Sequence, residues 1–271
     1  MKIYFLGPEG SFSHLAAKSK YEEKHLESKS NFLEIINALD DGDSIGVLPI
    51  ENSITSDVHE NMDYFFKKKF TIIGEVNVKI HLHLIGLKDT EINNITDVYS
   101  HPKALAQCSE FLNKIGNPEI HFTESTSKAR EEIVRKKSKK SALIGSKDLA
   151  ESPLSTIVED ISNSTLNLTR FLFVSSALKS NKSKANKMTI IFKIKHEAGS
   201  LSKLLMALAR AGVNLMKIES RPIPNTVWEY QFWVDLEVNP EQILSVENVF
   251  KKESLDYSVL GAYERGQIIE S

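Results

Sequence analysis

The stretch that decides the fold is residues 2–14, Lys-Ile-Tyr-Phe-Leu-Gly-Pro-Glu-Gly-Ser-Phe-Ser-His. Its first five residues are mostly apolar and predict a strand. Gly7 and Gly10 mark a tight loop, and a helical pattern follows over residues 13–20. A strand, a short loop and a helix in this order predict the first unit of an α/β domain.

The same alternation continues as far as residue 174. Strands are predicted at 44–48, 76–84, 97–99, 119–122, 141–144 and 170–174, and helices at 104–113 and 128–135. Strands that alternate with helices predict a largely parallel sheet, in which ligands bind beyond the carboxyl ends of the strands. We therefore expect functional residues in the loops that follow these strands.

A polar, lysine-rich segment without periodicity follows at residues 175–187 and predicts a linker. Beyond it, strands are predicted at 188–194, 213–218, 228–238 and 258–263, and helices at 201–208 and 241–250. The order βαββαβ is that of the ferredoxin-like split. A domain of about 75 residues buries a small core, so we expect it to pair with a second copy.

The composition excludes several classes of protein. Lys and Arg number 34 against 36 Asp and Glu, a net charge of -2, which argues against nucleic acid as a partner. No stretch approaches the roughly 18 apolar residues of a membrane helix, so no membrane partner is expected. The only cysteine is Cys108, which fits a reducing, cytoplasmic compartment.

Several loops carry side chains that suit anionic ligands. Ser11, Ser13 and the helix-start amides could hold a carboxylate, or Ser13 could cap the helix. His101 is either a general acid or base, or a helix-entry residue before Pro102. Arg170 enters an apolar strand, where its planar fork suits a carboxylate or a rim ion pair. His81 and His83 share a strand face without a third ligand, so no metal site is expected.

Five segments in order resemble the prephenate dehydratase family, in its monofunctional form with a C-terminal ACT regulatory domain. They are Gly-Pro-Glu-Gly-Ser-Phe-Ser-His-Leu-Ala-Ala (7–17), Pro-Ile-Glu-Asn-Ser (49–53), His-Pro-Lys-Ala-Leu-Ala-Gln-Cys (101–108), Thr-Arg-Phe (169–171) and Glu-Ser-Arg-Pro (219–222). No helical chorismate-mutase segment precedes Lys2, so we expect the monofunctional form.

The resemblance implies an α/β fold with a two-lobed, periplasmic-binding-protein-like (type II) catalytic domain and a ferredoxin-like βαββαβ ACT domain. The implied bounds are 1–178 for the catalytic domain, 179–187 for the linker and 188–271 for the ACT domain. Within the catalytic domain, one lobe would comprise 1–75 with 157–178 and the other 76–156. The chain would cross between the lobes near 73–78 and 157–169.

The resemblance also implies a hydro-lyase that converts prephenate to phenylpyruvate without metal or other cofactor, in phenylalanine biosynthesis. The implied catalytic residues are Thr169, Arg170 and Phe171, with Thr169 as donor to the departing hydroxyl and Arg170 as a carboxylate clamp. Substrate-binding residues would be Ser11, Ser13, Glu51, Asn52, Ser53, His101 and Thr126. A tight cation at the ring carboxylate would stabilise charge that must disappear, so we expect a mildly positive cleft.

Phenylalanine is the implied allosteric effector, bound where the ACT domains of a homodimer or homotetramer meet. Its implied ligands are Gly199, Ser200, Leu201, Glu219, Ser220, Arg221 and Pro222. Ser56, Lys103, Arg130, Ala198 and Ser200 depart from the family pattern. Two other functions stay open on the sequence: an arogenate dehydratase, and a non-catalytic protein that senses an amino acid.

Overall fold

The computed structural model describes residues 1–54, 56–223, 226 and 229–271. The predicted strand start at Trp228 and the side chain of Ser56 therefore lie outside the described residues. None of the described helices combines the length and the apolar character needed to cross a membrane.

The first sheet has the strand order β16-β5-β11-β3-β1-β2, with β4 beside β3. Its strands are β1 (Lys2–Leu6), β2 (Leu26–Lys29), β3 (Ser44–Asn52), β4 (Ser56–Asp57), β5 (Thr71–Lys79), β11 (Leu168–Ser175) and β16 (Ile268–Glu270). The helices α1 (Phe12–Lys18), α2 (Phe32–Ala38) and α3 (His59–Lys67) connect its strands.

The second sheet has the order β10-β6-β9-β7-β8. Its strands are β6 (His83–Leu87), β7 (Asp97–Ser100), β8 (Glu119–Phe122), β9 (Ser141–Gly145) and β10 (Leu154–Val158), with helices α4 (Pro102–Gln107), α5 (Ser109–Lys114) and α6 (Thr126–Lys136). The chain crosses between the two sheets at 80–82 and returns at 159–167. The strand predicted at 76–84 is thus two strands in different sheets.

The prediction of a largely parallel sheet is wrong, because both sheets are mixed. In the first sheet, β11 runs antiparallel to both β3 and β5. The reason lies in the connection between the sheets. Strand β5 leaves the first sheet and β11 returns to it, so the two run in opposite directions.

The C-terminal domain is a four-stranded antiparallel sheet of order β13-β14-β12-β15. Its elements are β12 (Lys187–Lys193), α7 (Ser200–Arg210), β13 (Asn214–Pro222), β14 (Tyr230–Glu237), α8 (Ile243–Glu253) and β15 (Asp256–Tyr263). This is the βαββαβ order predicted from the sequence. One face of the sheet buries Leu204, Leu208 and Phe250 of the two helices.

The other face of this sheet packs on the first sheet. Trp233 meets Phe65 of α3 edge-on, with ring centroids 5.2 Å apart. At Gly261 the backbones come so close that a Cβ atom would lie 2.3 Å from the carbonyl oxygen of Ile72. Glycine at this position therefore sets how closely the C-terminal domain approaches the first sheet.

Substituting Gly261→Val should destabilise the protein by about 1–3 kcal/mol, because the backbone of Ile72 cannot move aside as a side chain can. Urea unfolding would measure this change. Ala209→Val on the exposed side of α7 is the control, and should cost no more than about 0.5 kcal/mol. An equally small effect at Gly261 would contradict the close approach of the two domains.

Candidate active site

A cavity of about 440 Å³ lies between the two sheets, where the chain crosses from one to the other. It brings together loops that are far apart in the sequence. Of the predicted site residues, its lining includes Ser11, Ser13, Asn52, His101, Thr126, Thr169 and Phe171. Asn52 lies at the end of β3, His101 directly after β7 and Thr169 near the start of β11. The loop that follows β1 contributes Ser11 and Ser13 to the same wall.

Thr169 faces this cavity next to Asn52. The two residues are partners in the register between β11 and β3, which places their side chains on the same face. Asn52 Nδ2 donates to Thr169 Oγ1 over 2.9 Å. Within the described part of the chain, no group accepts the hydroxyl hydrogen of Thr169. That hydrogen is therefore available to a ligand in the cavity.

A ring of three buried carboxamides fixes the orientation of Asn52. Asn52 Nδ2 donates to Asn167 Oδ1 at 2.9 Å, and Asn167 Nδ2 donates to Gln107 Oε1 at 3.0 Å. Gln107 Nε2 closes the ring by donating to Asn52 Oδ1 at 3.3 Å. Because Asn52 uses its oxygen as an acceptor, its nitrogen must face Thr169. The three members come from β3, α4 and the returning crossing segment.

His101 presents a neutral ring to the cavity. Its Nδ1 accepts the backbone N–H of Lys103 at 3.2 Å, so the ring proton lies on Nε2. Burial lowers the pKa of His101, and the nearby Lys103 charge lowers it further. His101 is also the N-cap of α4, and Pro102 follows it as the first residue of the helix, as the alternative interpretation predicted. The two interpretations are compatible.

The serine and threonine residues of the cavity differ in whether their hydroxyl groups already have hydrogen-bond partners within the protein. Ser11 is the N-cap of α1: it accepts from His14 N at 3.2 Å and donates to Leu6 O at 2.8 Å. The prediction that Ser13 caps this helix is therefore wrong. The hydroxyls of Ser13 and Thr126 line the cavity and have no hydrogen-bond partner among the residues described, which leaves them available to a ligand.

Three predicted site residues point elsewhere. Glu51 and Arg170 neighbour Asn52 and Thr169 on their strands, so their side chains emerge on the opposite face. The structure therefore does not place Arg170 as a clamp in the cavity. Ser53 accepts from Leu168 N at 2.9 Å and donates to Leu166 O at 2.6 Å, so it holds the loop before β11.

Arg170 is the centre of a buried ion cluster beneath the C-terminal domain. Its guanidinium donates to Glu75 at 2.6 Å, to Asp235 of β14, and to the hydroxyl of Tyr263 at 3.1 Å. Lys187 contacts Glu75 at 3.0 Å. Burial opposes ionisation of both carboxyl groups, but the neighbouring cations outweigh it, and the pKa values of Glu75 and Asp235 are lowered.

Sequence reasoning missed two members of the carboxamide ring and misjudged the charge of the cavity. Asn167 lies two residues before Thr169, and Gln107 lies one helical turn after Lys103, so spacing alone could have indicated both.

The charged lining comprises Lys103, Glu60 and Glu124, so within the described lining carboxylates outnumber lysines. The expected mildly positive cleft is not what the structure has.

His81 and Cys108 have structural surroundings outside the cavity between the sheets. His81 contacts Asp160 at 2.6 Å and Glu270 at 2.8 Å, which joins both crossing segments to β16. Cys108 is fully buried, as its apolar neighbours predicted, and burial raises the pKa of its thiol to about 12. Neither residue lines the cavity between the sheets.

A second cavity, of about 700 Å³, lies in the C-terminal domain. Gly199 and Leu201 line it, and Ser200 begins α7 beside it. Ser220 is the register partner of Phe232, which lines the cavity, and Pro222 ends β13 next to it. Two other predicted effector ligands, Glu219 and Arg221, are not part of the lining of this cavity.

Glu219 and Arg221 lie on the other face of β13. There Glu219 pairs with His59 and Arg221 pairs with Asp63, both on α3. They alternate along the strand with Ser220, so they cannot point to the same side as the residue between them. In this chain the side chains of Glu219 and Arg221 therefore contact the catalytic domain and do not face the cavity of the C-terminal domain.

The fold and the cleft define a class of protein: a two-sheet α/β enzyme with neutral donors in its cleft and a βαββαβ domain attached. Residues 3–179 match the sequence profile of the family described as prephenate dehydratase. The chain belongs to this family.

Relatives match along almost the whole chain. A bifunctional chorismate mutase/prephenate dehydratase of Buchnera aphidicola is 34% identical, covering 96% of this chain and 70% of the relative. The prephenate dehydratase of Methanocaldococcus jannaschii is 32% identical, covering 96% and 97%. A solved structure of prephenate dehydratase in complex with L-Phe from Arthrobacter aurescens superposes with a TM-score of 0.85 at 26% identity, covering 98% and 90%.

Proposed function

We propose that this protein is a prephenate dehydratase, a hydro-lyase of phenylalanine biosynthesis that forms phenylpyruvate with loss of water and carbon dioxide. Family membership supports the reaction. The observation that carries the site assignment is the Thr169 hydroxyl, which is held by Asn52 and has its hydrogen free to face the cavity. Residues 1–178 would form the catalytic unit and 188–271 an ACT domain.

In the reaction, the bond from the ring to its carboxylate breaks and releases carbon dioxide. The electron pair enters the ring as the bond to the ring hydroxyl breaks, and the departing oxygen leaves as water once it gains a proton. Thr169 donates a hydrogen bond to that oxygen, and the proton that completes the water comes from solvent, which balances the carboxylate charge lost as carbon dioxide; the Asn52 amide holds Oγ1 in place for this. Aromatisation of the ring provides the driving force.

The other donors suit the two carboxylates of prephenate. Ser13, Thr126 and the Nε2–H of His101 are neutral groups that can orient a carboxylate without holding it tightly in its charged form. This matters at the ring carboxylate, whose charge is lost in the reaction, because a strongly bound ground state would not lower the barrier. Phe171 adds an apolar wall for the ring.

The C-terminal domain would act as the feedback sensor. We infer that phenylalanine binds at its cavity of about 700 Å³, near Gly199 and Leu201, and that two such domains meet in a cytoplasmic homodimer or homotetramer. The relative from Arthrobacter aurescens, whose complex with L-Phe is solved, supports the effector. An effector shifts the protein between states only through different affinities for them.

Incubation with prephenate tests the proposal, with phenylpyruvate followed by its absorbance in alkali and with phenylalanine added in parallel. We expect phenylpyruvate to form, and phenylalanine to inhibit. Faster turnover of arogenate would instead assign an arogenate dehydratase. Tight binding of either compound without turnover would assign a sensor.

Substituting Asn52→Asp should lower kcat by about 10–100-fold, because an ionised carboxylate keeps the shape but cannot donate to Thr169. Steady-state assays of phenylpyruvate formation measure the change. Asn93→Asp, the same replacement at an exposed amide outside the cleft, is the matched control and should leave kcat unchanged. Equal activity of the two variants would remove Asn52 from the donor assignment.

A further inference from the structure

Strand β13 is the edge strand of the C-terminal sheet, and its two faces meet different parts of the molecule. Lys217, Glu219 and Arg221 project toward the catalytic domain, together with their register partners on β14. Ser220 projects to the opposite side, where its partner Phe232 lines the cavity of the C-terminal domain. One strand therefore touches the catalytic domain with one face and borders the second cavity with the other.

Three contacts between a basic side chain and a carboxylate join β13 to the catalytic domain, two of them ion pairs of Lys217 and Arg221. Lys217 Nζ lies 3.2 Å from Glu51 Oε1, and His59 Nε2 lies 3.3 Å from Glu219 Oε1. Arg221 holds Asp63 with two parallel hydrogen bonds, Nε to Oδ1 and Nη2 to Oδ2, each 3.1 Å long. The fork-to-fork geometry fixes direction as well as distance. All three partners lie within residues 51–63.

The same segment forms one wall of the catalytic cleft. Asn52, Val58 and Glu60 line the cavity between the sheets. His59 and Asp63 are one helical turn apart on α3 and face β13 together. A displacement of β13 would therefore move the cleft wall directly, without passing through the core of either domain. The effect would be strongest at the start of α3, next to Val58 and Glu60.

We propose that β13 transmits occupancy of the C-terminal cavity to the cleft through these three contacts. In this proposal Glu219 and Arg221 are positioning residues that act on α3, and are not ligands of the effector. The proposal rests on the proposed function, since it takes phenylalanine as the effector. It requires that the three pairs differ between the active and the inhibited arrangement, so that breaking one alters the coupling.

A charge-swap cycle on the Arg221–Asp63 pair tests this. Asp63→Arg and Arg221→Asp should each raise the phenylalanine concentration for half-inhibition at least about 5-fold, the lower end of typical coupling. The double variant restores an ion pair with reversed polarity and should recover inhibition. Activity without phenylalanine should be retained in all three, and calorimetry should show that each still binds phenylalanine.

Three results would contradict the proposed role of β13. If Arg221 were an effector ligand, Arg221→Asp would abolish binding in calorimetry, the double variant would not recover it, and Asp63→Arg would be inhibited normally. Any of these overturns the proposal. Asp40→Arg, which breaks the exposed Asp40–Lys68 pair within the catalytic domain, is the matched control and should leave inhibition unchanged.

Two further measurements separate this proposal from its premises. If wild-type protein forms no phenylpyruvate from prephenate, the proposed function fails, and that result appears before any variant is made. Should a swap variant fail to fold, as thermal unfolding would show, Glu219→Gln provides a neutral change on the same face. Normal inhibition in that variant and in any folded swap variant would also overturn the role of β13.

Discussion

Replacing Thr169 with valine is expected to lower kcat by at least about 100-fold, with only a modest change in KM. Valine keeps the branched shape that packs between Asn52 and the cavity but has no hydroxyl hydrogen. The departing oxygen then lacks its donor at the moment when charge develops on it, while the contacts that bind substrate remain. Initial rates of phenylpyruvate formation across a range of prephenate concentrations measure both constants.

Thr169→Ser is the matched variant, because it keeps the hydroxyl and the hydrogen bond from Asn52. It should retain far more activity than Thr169→Val. Wild-type-like turnover in the valine variant would remove Thr169 from the mechanism. A large rise in KM at unchanged kcat would instead mean that the hydroxyl contributes to binding alone.

Replacing Arg170 with methionine is expected to lower the free energy of unfolding by about 3–5 kcal/mol, because it removes the cation that contacts buried Asp235 and leaves buried Glu75 with Lys187 alone. Glu75 and Asp235 are each 1% exposed, so both carboxylates are largely removed from bulk water and depend on their protein partners. Urea unfolding measures this effect. Arg210→Met on the exposed side of α7 is the control and should change stability by no more than about 0.5 kcal/mol.

A different result would support the role that the sequence predicted for Arg170, that of binding a carboxylate of the substrate. If Arg170→Met unfolded like the wild type but raised KM for prephenate strongly, the guanidinium would have to reach substrate in another arrangement of the lobes. Arg170→Lys separates charge from shape, since lysine cannot contact Glu75, Asp235 and Tyr263 at once. We expect it to be destabilised as well.

The same cluster gives stability a dependence on pH. The folded-state pKa values of Glu75 and Asp235 lie below their ordinary values of 4.5 and 3.8. Such groups contribute stability that is fully present above the ordinary values and is lost as the pH falls through the folded-state values. The difference in unfolding free energy between the wild type and Arg170→Met should therefore shrink as the pH falls through the folded-state pKa values, which urea unfolding at a series of pH values measures.

Much of the fold could be predicted because its signals are local. Strands β1 and β8 have the predicted bounds, and the order of the C-terminal elements follows from short apolar runs and a helical leucine pattern. The crossing between the sheets, expected near 73–78 from the resemblance, lies at 80–82, and periodicity did not reveal it because the apolar run continues through it. Periodicity cannot show that one run belongs to two sheets, since that is decided by packing far along the chain.

The site could be predicted only in part for a related reason. Motifs placed Thr169, Asn52, Ser13 and His101 correctly at one cavity. They could not show that Glu51 and Arg170 face away, because this depends on which side of β3 and β11 the C-terminal domain covers. Alternation along β11 places Arg170 and Thr169 on opposite faces of the strand, and the packing of the domains decides which of the two faces the cavity.

The carboxamide ring has a consequence for the order of events in a catalytic cycle. Gln107 belongs to the second sheet's side of the cleft, whereas Asn52 belongs to the first. Separating the two sides to release product would break the Gln107 contacts, whereas Ile54 N and Asn167 would still hold the Asn52 amide. The donor pair of Asn52 and Thr169 lies wholly within the first sheet, so it would keep its orientation while the cleft exchanges product for the next substrate.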